Sequence, residues 1–267
     1  MSDDTSADLS MVHRVTLIII AAMAMMAVSA AHAKTVLVTG ANRGIGLEFV
    51  NHYASAGYTV IATARNPSEA DELSALAAGN ANIVVEELDV NDFAEVDALA
   101  AKYADTPIDI LINNAGITGN PRNQVFGSID YATFEAVMNT NVRGPLKMTE
   151  AFVSHVAASG EKKVAVVTSS EGSIGMVTTN RQPFYRGSKA AVNMVMRNIA
   201  TSLKDQGVIV VLVNPGPVDT DMMAAARGRM PLRTTELAVD EMAAVIQAAT
   251  LEGSATFFNF DGTVLPW

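Results

Sequence analysis

From Lys34 onward, short apolar runs rich in β-branched residues alternate with stretches whose apolar positions recur at helical spacing. The expected strands are Thr35-Val38, Thr59-Thr63, Ile83-Leu88, Ile108-Ile112, Val164-Thr168, Val208-Val213 and Thr256-Phe260. Most of these runs are apolar throughout, as strands covered on both faces must be. The expected helices are Ile45-Ser55, Ser68-Ala78, Phe93-Ala104, Tyr131-Ala158, Phe184-Lys204 and Thr235-Leu251, with breakers such as Gly57, Pro67, Pro107, Gly160 and Gly207 at the seams. No Pro/Gly/Ser-rich linker divides the region. The alternation predicts an α/β fold: one domain over residues 34–267, a doubly wound parallel seven-stranded sheet with helices on both faces. Ligands of such sheets bind at the carboxyl ends of the strands, which is where chemistry should be sought.

Ahead of Lys34 the pattern changes. Val15 to Ala31 is apolar and uncharged, His13-Arg14 precedes it, and Ala31-His32-Ala33 offers the small-x-small sequence that a signal peptidase accepts. Residues 1–33 therefore read as a leader, either a secretory signal or a membrane anchor. Asp3, Asp4 and Asp8 suit an export signal poorly, so Met11 is the better start for one, and a misassigned start is the third reading.

Composition narrows the function classes. The chain has 267 residues, 18 basic against 28 acidic side chains, a net charge of −10 and 49% apolar residues. Such a chain buries a large core, and its acidity argues against a nucleic acid partner. It has no cysteine, which removes disulfides, zinc–thiolate sites, iron–sulfur clusters and thiol nucleophiles. There is no G-x-x-x-x-G-K-[ST] and no G-x-S-x-G. His13 and His32 fall in the leader, and His52 and His155 sit alone in helices, so neither a metal site nor a Ser–His–Asp triad can be assembled.

After the first strand comes Thr39-Gly40-Ala41-Asn42-Arg43-Gly44-Ile45-Gly46. Glycines there permit a tight turn and bring bare backbone N–H groups, at a helix start, against a pyrophosphate. The plain alternative is a glycine turn with no ligand. Where an acidic residue would grip the ribose 2′-hydroxyl of NAD, the second strand ends in Ala64-Arg65. Arg65, with Arg43 inside the turn, suits a 2′-phosphate, so NADP(H) is the expected cofactor. Asp89, followed by Val90, is placed to accept from the adenine amino group, while Asn91 or Asp92 makes the better cap for the next helix.

Tyr185 and Lys189 stand four apart on one helical face, an arrangement in which an ammonium lowers the pKa of a phenol. Around them lie Ser169-Ser170 after the fifth strand and Asn113-Asn114-Ala115-Gly116 after the fourth, where small residues let a cofactor approach the backbone. Asn141 lies mid-helix and serves a site only if it faces one. Pro215-Gly216-Pro217-Val218-Asp219-Thr220 follows the sixth strand, where its loop would cover a nicotinamide.

In this order TGANRGIG, NNAG, the serine, YRGSK and NPGPVDTDM resemble the short-chain dehydrogenase/reductase family over nearly all of Lys34 to Trp267. ANRGIGLEFV, EGSIG, YRGSKAAVNM and FNFDGTVLPW are similar to its branch of C-factor and sniffer-type carbonyl reductases. The resemblance implies a Rossmann-type fold, NADPH, and a small carbonyl or alcohol substrate. It also implies roles: Tyr185 as proton donor, Lys189 lowering its pKa and holding the nicotinamide ribose, Ser170 binding the substrate oxygen, Asn141 fixing a water in the proton relay, and Thr220 meeting the carboxamide. The cofactor would further touch Gly40, Asn42, Gly44, Ile45, Gly46, Val90, Asn114, Ala115, Gly116, Pro215, Gly216 and Val218. Subunits of relatives pair through the helices at Tyr131 and Phe184, which implies a homodimer or homotetramer.

Ser170 precedes Tyr185 by fifteen residues, slightly more than the commonest spacing, and Ser169 and Ser173 are neighbours. The segment Met222-Arg233, where relatives place a substrate lid, carries Met222, Met223 and Met230, flexible thioethers that suit either an apolar pocket or a mobile loop. C-factor permits another reading, a dinucleotide-binding signalling protein with little turnover. Export also conflicts with the use of cytoplasmic NADPH. An anchored domain facing the cytoplasm, a wrong start, or a periplasmic protein with a separate cofactor supply would each resolve it.

Overall fold

The computed structural model describes residues 33–267, so the leader expected over 1–33 lies, but for Ala33, outside the described residues. Seven strands form one sheet: β1 (Thr35–Val38), β2 (Thr59–Ala64), β3 (Ile83–Glu87), β4 (Ile110–Asn113), β5 (Lys163–Val167), β6 (Ile209–Asn214) and β7 (Phe257–Asn259). Their order is β3-β2-β1-β4-β5-β6-β7 and every pairing is parallel. The order reverses between β1 and β4, and that switch point opens a crevice above the carboxyl ends of the strands.

Two buried clusters explain why the strand sequences are apolar throughout. Val36, Val38, Ile110, Ile112, Val211 and Val213 face one cluster, while their neighbours Leu37, Leu111, Val210 and Leu212 face the other. The period-two alternation of a strand thus delivers apolar side chains to both faces. Helices α1 (Gly44–Ser55), α2 (Asp71–Gly79) and α7 (Thr235–Ala248) cover the first face through Phe49, Leu73 and Ile246. Helices α3 (Phe93–Lys102), α5 (Gly144–Ala157) and α6 (Pro183–Leu203) cover the second through Leu99, Phe152 and Met196. Each such residue contributes about 1.5–3 kcal/mol of transfer free energy when fully buried.

The structure departs from the sequence expectation in one long element. The helix expected over Tyr131-Ala158 is α4 (Tyr131–Met138), then a π turn at Asn139–Arg143, then α5. Pro145 has no N–H to give the carbonyl of Asn141 four residues back, and the Gly144 N–H reaches instead to the carbonyl of Asn139. Similarly, Pro67–Glu69 is a short 3-10 turn ahead of α2. Asp92 caps α3, accepting from the N–H groups of Ala94 and Glu95. Among the described residues, no helix is long and apolar enough to cross a membrane.

Candidate active site

A groove of about 1200 Å³ runs along the switch point. Of the expected cofactor residues, Gly40, Asn42, Arg43, Gly44, Ile45 and Gly46 line it on the β1 side, and Arg65 lines its outer end. Asp89 and Val90 line it after β3, Asn114, Ala115 and Gly116 after β4, and Thr220 after β6. The sequence reading missed Ile117, Thr118 and Thr140 on the same wall.

Five expected cofactor residues are not on that surface: Tyr185 and Lys189, and three from the loop after β6. Pro215, Gly216 and Val218 are absent from the groove lining because they form the base of the loop after β6. Gly216 has a positive φ of 72° and presses against the Phe260 ring, 2.8 Å from where a Cβ would stand. Val218 is buried and pairs with Arg233 in a short bridge.

The glycine turn is held by close backbone contact. A Cβ on Gly46 would lie 2.1 Å from the carbonyl oxygen of Gly40 and 2.5 Å from Asn114 Nδ2. Gly40 has a φ of 64°. The Asn114 amide donates to the carbonyls of Thr39 and Gly40 at 3.0 and 3.1 Å, tying the turn to the end of β4. Asn114 is therefore a staple of the turn as well as part of the wall.

No side chain caps the start of α1. Its free N–H groups, with no Cβ to obstruct approach at the turn, fit a pyrophosphate, and the guanidinium groups of Arg43 and Arg65 at the groove fit a third phosphate. The donor set thus suits NADP(H). Asp89 turns one carboxylate oxygen onto Asn91, accepting from its N–H at 2.9 Å and its side-chain amide at 3.1 Å, which leaves the other oxygen for a ligand.

The catalytic candidates converge where β4 and β5 end. Tyr185 and Lys189 lie on α6, with Lys189 Nζ 5.7 Å from the centre of the phenol ring. Lys189 is buried and donates to the carbonyl of Val167 at 2.8 Å. Burial brings its pKa down from the usual lysine value to about 8. Gly116 passes close beside it, since a Cβ there would be 3.7 Å from Lys189 Nζ and 3.3 Å from Asn141 Oδ1.

Tyr185 does not follow the expected direction. Burial pushes its phenol above the ordinary value, a hydrogen bond with Ser169 offsets part of the rise, and the charge of Glu171 adds to it. Lys189 does not reverse that balance, and at neutral pH the phenol carries its proton.

Ser169, Ser170 and Ser173 stand differently around the phenol. Ser169 is the serine whose hydroxyl offsets part of the rise in the phenol's pKa. Ser169 Oγ also accepts from the Glu171 N–H at 3.2 Å, which leaves its own hydrogen to donate elsewhere. Ser170 instead opens a short 3-10 turn, its N–H donating to Asn214 at 3.0 Å. Ser173 is buried with its hydroxyl unpaired.

Asn141 faces this group from the π turn. Its amide donates to the carbonyl of Ile117 at 2.8 Å and to Ser188 Oγ at 2.9 Å, while Oδ1 accepts from the Ile117 N–H at 2.8 Å. Ser188 Oγ in turn donates to the carbonyl of Tyr185 at 2.7 Å. Both amide protons are spent within the protein, so a water would have to be held by the Asn141 main-chain carbonyl that Pro145 leaves without its helical donor.

Comparison with known proteins agrees with this arrangement. The short chain dehydrogenase family profile matches residues 34–230. The crystal structure of an NADPH-bound carbonyl reductase from chicken fatty liver is 32% identical with a TM-score of 0.80, covering 88% of this chain and 99% of that one. Carbonyl reductase Sniffer of D. melanogaster is 27% identical with a TM-score of 0.80, covering 88% and 100%. C-signal of Myxococcus xanthus is 36% identical over 170 residues, 64% of this chain and 99% of its own length.

Proposed function

This chain belongs to the short-chain dehydrogenase family, and we propose that it works as an NADP-dependent oxidoreductase of the carbonyl reductase kind, acting on a small carbonyl or alcohol substrate. The observation that carries the reading is a protonated phenol, a serine hydroxyl and a buried ammonium, the last of them beside Gly116 on the wall of a groove that fits a dinucleotide. NADPH, when bound, supplies the hydride. Tyr185 gives its hydroxyl proton to the carbonyl oxygen, and Ser169, beside the phenol, turns its hydrogen to the same oxygen. Lys189 stabilises the phenolate left behind. Asn141 fixes the chain after β4 against the turn of α6 that carries Tyr185 and Lys189. Thr220 and the backbone of the glycine turn hold the nucleotide, with Arg43 and Arg65 on its 2′-phosphate.

For assembly the reading is a homodimer or homotetramer, supported by the exposed apolar side chains of Leu146 on α5 and Met194 on α6. Sedimentation of the purified domain tests it.

The activity is tested by following NADPH oxidation with a panel of aldehydes and ketones. Tyr185→Phe should fold and bind NADPH with turnover reduced about 10²–10⁴-fold, the usual contribution of a general acid. Full turnover in that variant would remove the phenol from the mechanism. A wild-type chain that binds NADPH and turns over nothing in the panel would favour the signalling reading.

A further inference from the structure

The loop after β6 reaches the glycine turn through Thr220, which packs beside Gly44, and through one ion pair. Arg43 donates to Asp221 Oδ2 at 3.1 Å, across 178 positions of sequence, and the two residues stand on opposite walls of the groove. Residues 219–232 form a flap with a pinned base. The Arg233 N–H donates to the carbonyl of Pro217 at 2.8 Å, and the Asp219 N–H donates to the carbonyl of Arg233 at 2.8 Å. Arg227 folds back onto Asp219 at 2.6 Å. Beyond this base the flap has little burial to anchor it, since Met222 and Met230 are exposed. Among the described residues, no other ion pair ties the flap to the glycine turn.

Arg43 therefore has two claims on it. A guanidinium binds a phosphate dianion through paired, charge-assisted hydrogen bonds more strongly than it binds an exposed carboxylate. We propose that Asp221 is a specificity-determining residue that holds Arg43 in the nucleotide-free chain as a latch, so that a 2′-phosphate must displace the carboxylate and by doing so frees the flap. NAD(H) has no 2′-phosphate and leaves the latch closed. The inference rests on the reading of the groove as an NADP(H) site. Linkage makes the coupling reciprocal: the factor by which Asp221 weakens NADP(H) is the factor by which NADP(H) loosens Asp221.

The test measures equilibrium binding of NADPH and NADH by nucleotide fluorescence in the wild type, Asp221→Asn, Arg43→Gln and the double variant. In parallel, trypsin cleavage after Arg227 and Arg229 is timed without nucleotide. Both latch side chains are more than two-thirds exposed, so neither substitution threatens the fold. An exposed pair of this kind supports effects of about two- to fivefold. Asp221→Asn should tighten NADPH by that factor and move NADH by less than about twofold. The gain should vanish in the Arg43→Gln background. Either single substitution should speed cleavage of the flap about two- to fivefold.

Equal tightening of both nucleotides, or a gain that survives Arg43→Gln, would show Asp221 acting as a bare charge through space and overturn the proposal. Unchanged cleavage would show that the pair does not hold the flap. A wild-type chain that binds neither nucleotide would overturn the NADP(H) reading and Asp221's part in specificity, while the trypsin arm would still decide the latch.

Discussion

Around Gly40 and Gly46 the groove takes its shape from missing side chains. The carbonyl of Gly40 stands 2.1 Å from where a Cβ on Gly46 would be, and the Asn114 amide fills the remaining space. Around Tyr185 the shape comes from side chains that are present and costly to bury, with Lys189 stripped of water and Ser169 and Glu171 pulling the phenol in opposite directions. The first region is a steric device and the second an electrostatic one. They should therefore fail differently. A substitution in the turn should damage fold and binding together, whereas one near Tyr185 should damage chemistry and leave, or even raise, stability.

The largest effect expected on the steric side is that of Gly46→Ala. The clash is with backbone, which cannot rotate away, so α1 must shift off the turn. Overpacking of this kind destabilises by about 3 kcal/mol, and NADPH binding should be lost with it. Urea unfolding and nucleotide titration check both. A variant with wild-type stability that binds NADPH normally would show that the turn is softer than its contacts imply.

On the electrostatic side, Ser169→Ala should lower kcat about 10²-fold, the usual loss on removing one donor to a developing oxyanion, while the loss of its cap on the Glu171 N–H costs only about 1 kcal/mol of stability. Ser170→Ala should change kcat less than about twofold, because its side chain has no part in the phenol's hydrogen bonding. The reverse result would give the substrate-binding role to Ser170.

The choice between Ser169 and Ser170 shows where sequence reasoning stops. Strand identity was legible because runs such as Val164–Val167 are apolar on both faces, and the glycine turn because its residue types have few other uses at the start of a helix. Which of two adjacent serines meets the phenol depends on where β5 ends and how the chain turns onto α6. A shift of one residue there reverses the face to which a hydroxyl points. The π turn did leave a signal, Pro145 four residues after Asn141, which periodicity over a long helical stretch conceals. The displacement of Pro215, Gly216 and Val218 from the groove, and the Arg43–Asp221 contact over 178 positions, are tertiary facts with no local trace.

The pH dependence of stability separates the two regions most sharply. Lys189 has a folded pKa of about 8 against an ordinary lysine value of 10.5, so the folded chain binds its proton less readily than the unfolded chain does. Below both values the amine is charged in either state and burial costs stability in full. As pH rises through the window between them the folded amine sheds its proton while the unfolded one keeps it, and the cost fades. Wild-type stability should therefore rise relative to Lys189→Met by about 2 kcal/mol between about pH 7 and about pH 9.5. At neutral pH the variant loses the burial penalty of an ammonium but leaves the carbonyl of Val167 without its donor, which returns about 1–3 kcal/mol. The pH dependence of the difference is thus the cleaner reading, because the orphaned carbonyl does not titrate. Urea unfolding of both proteins across that range measures it. A difference that stayed flat would mean that the amine is solvated, and the region around Tyr185 would then be no more electrostatically strained than the glycine turn.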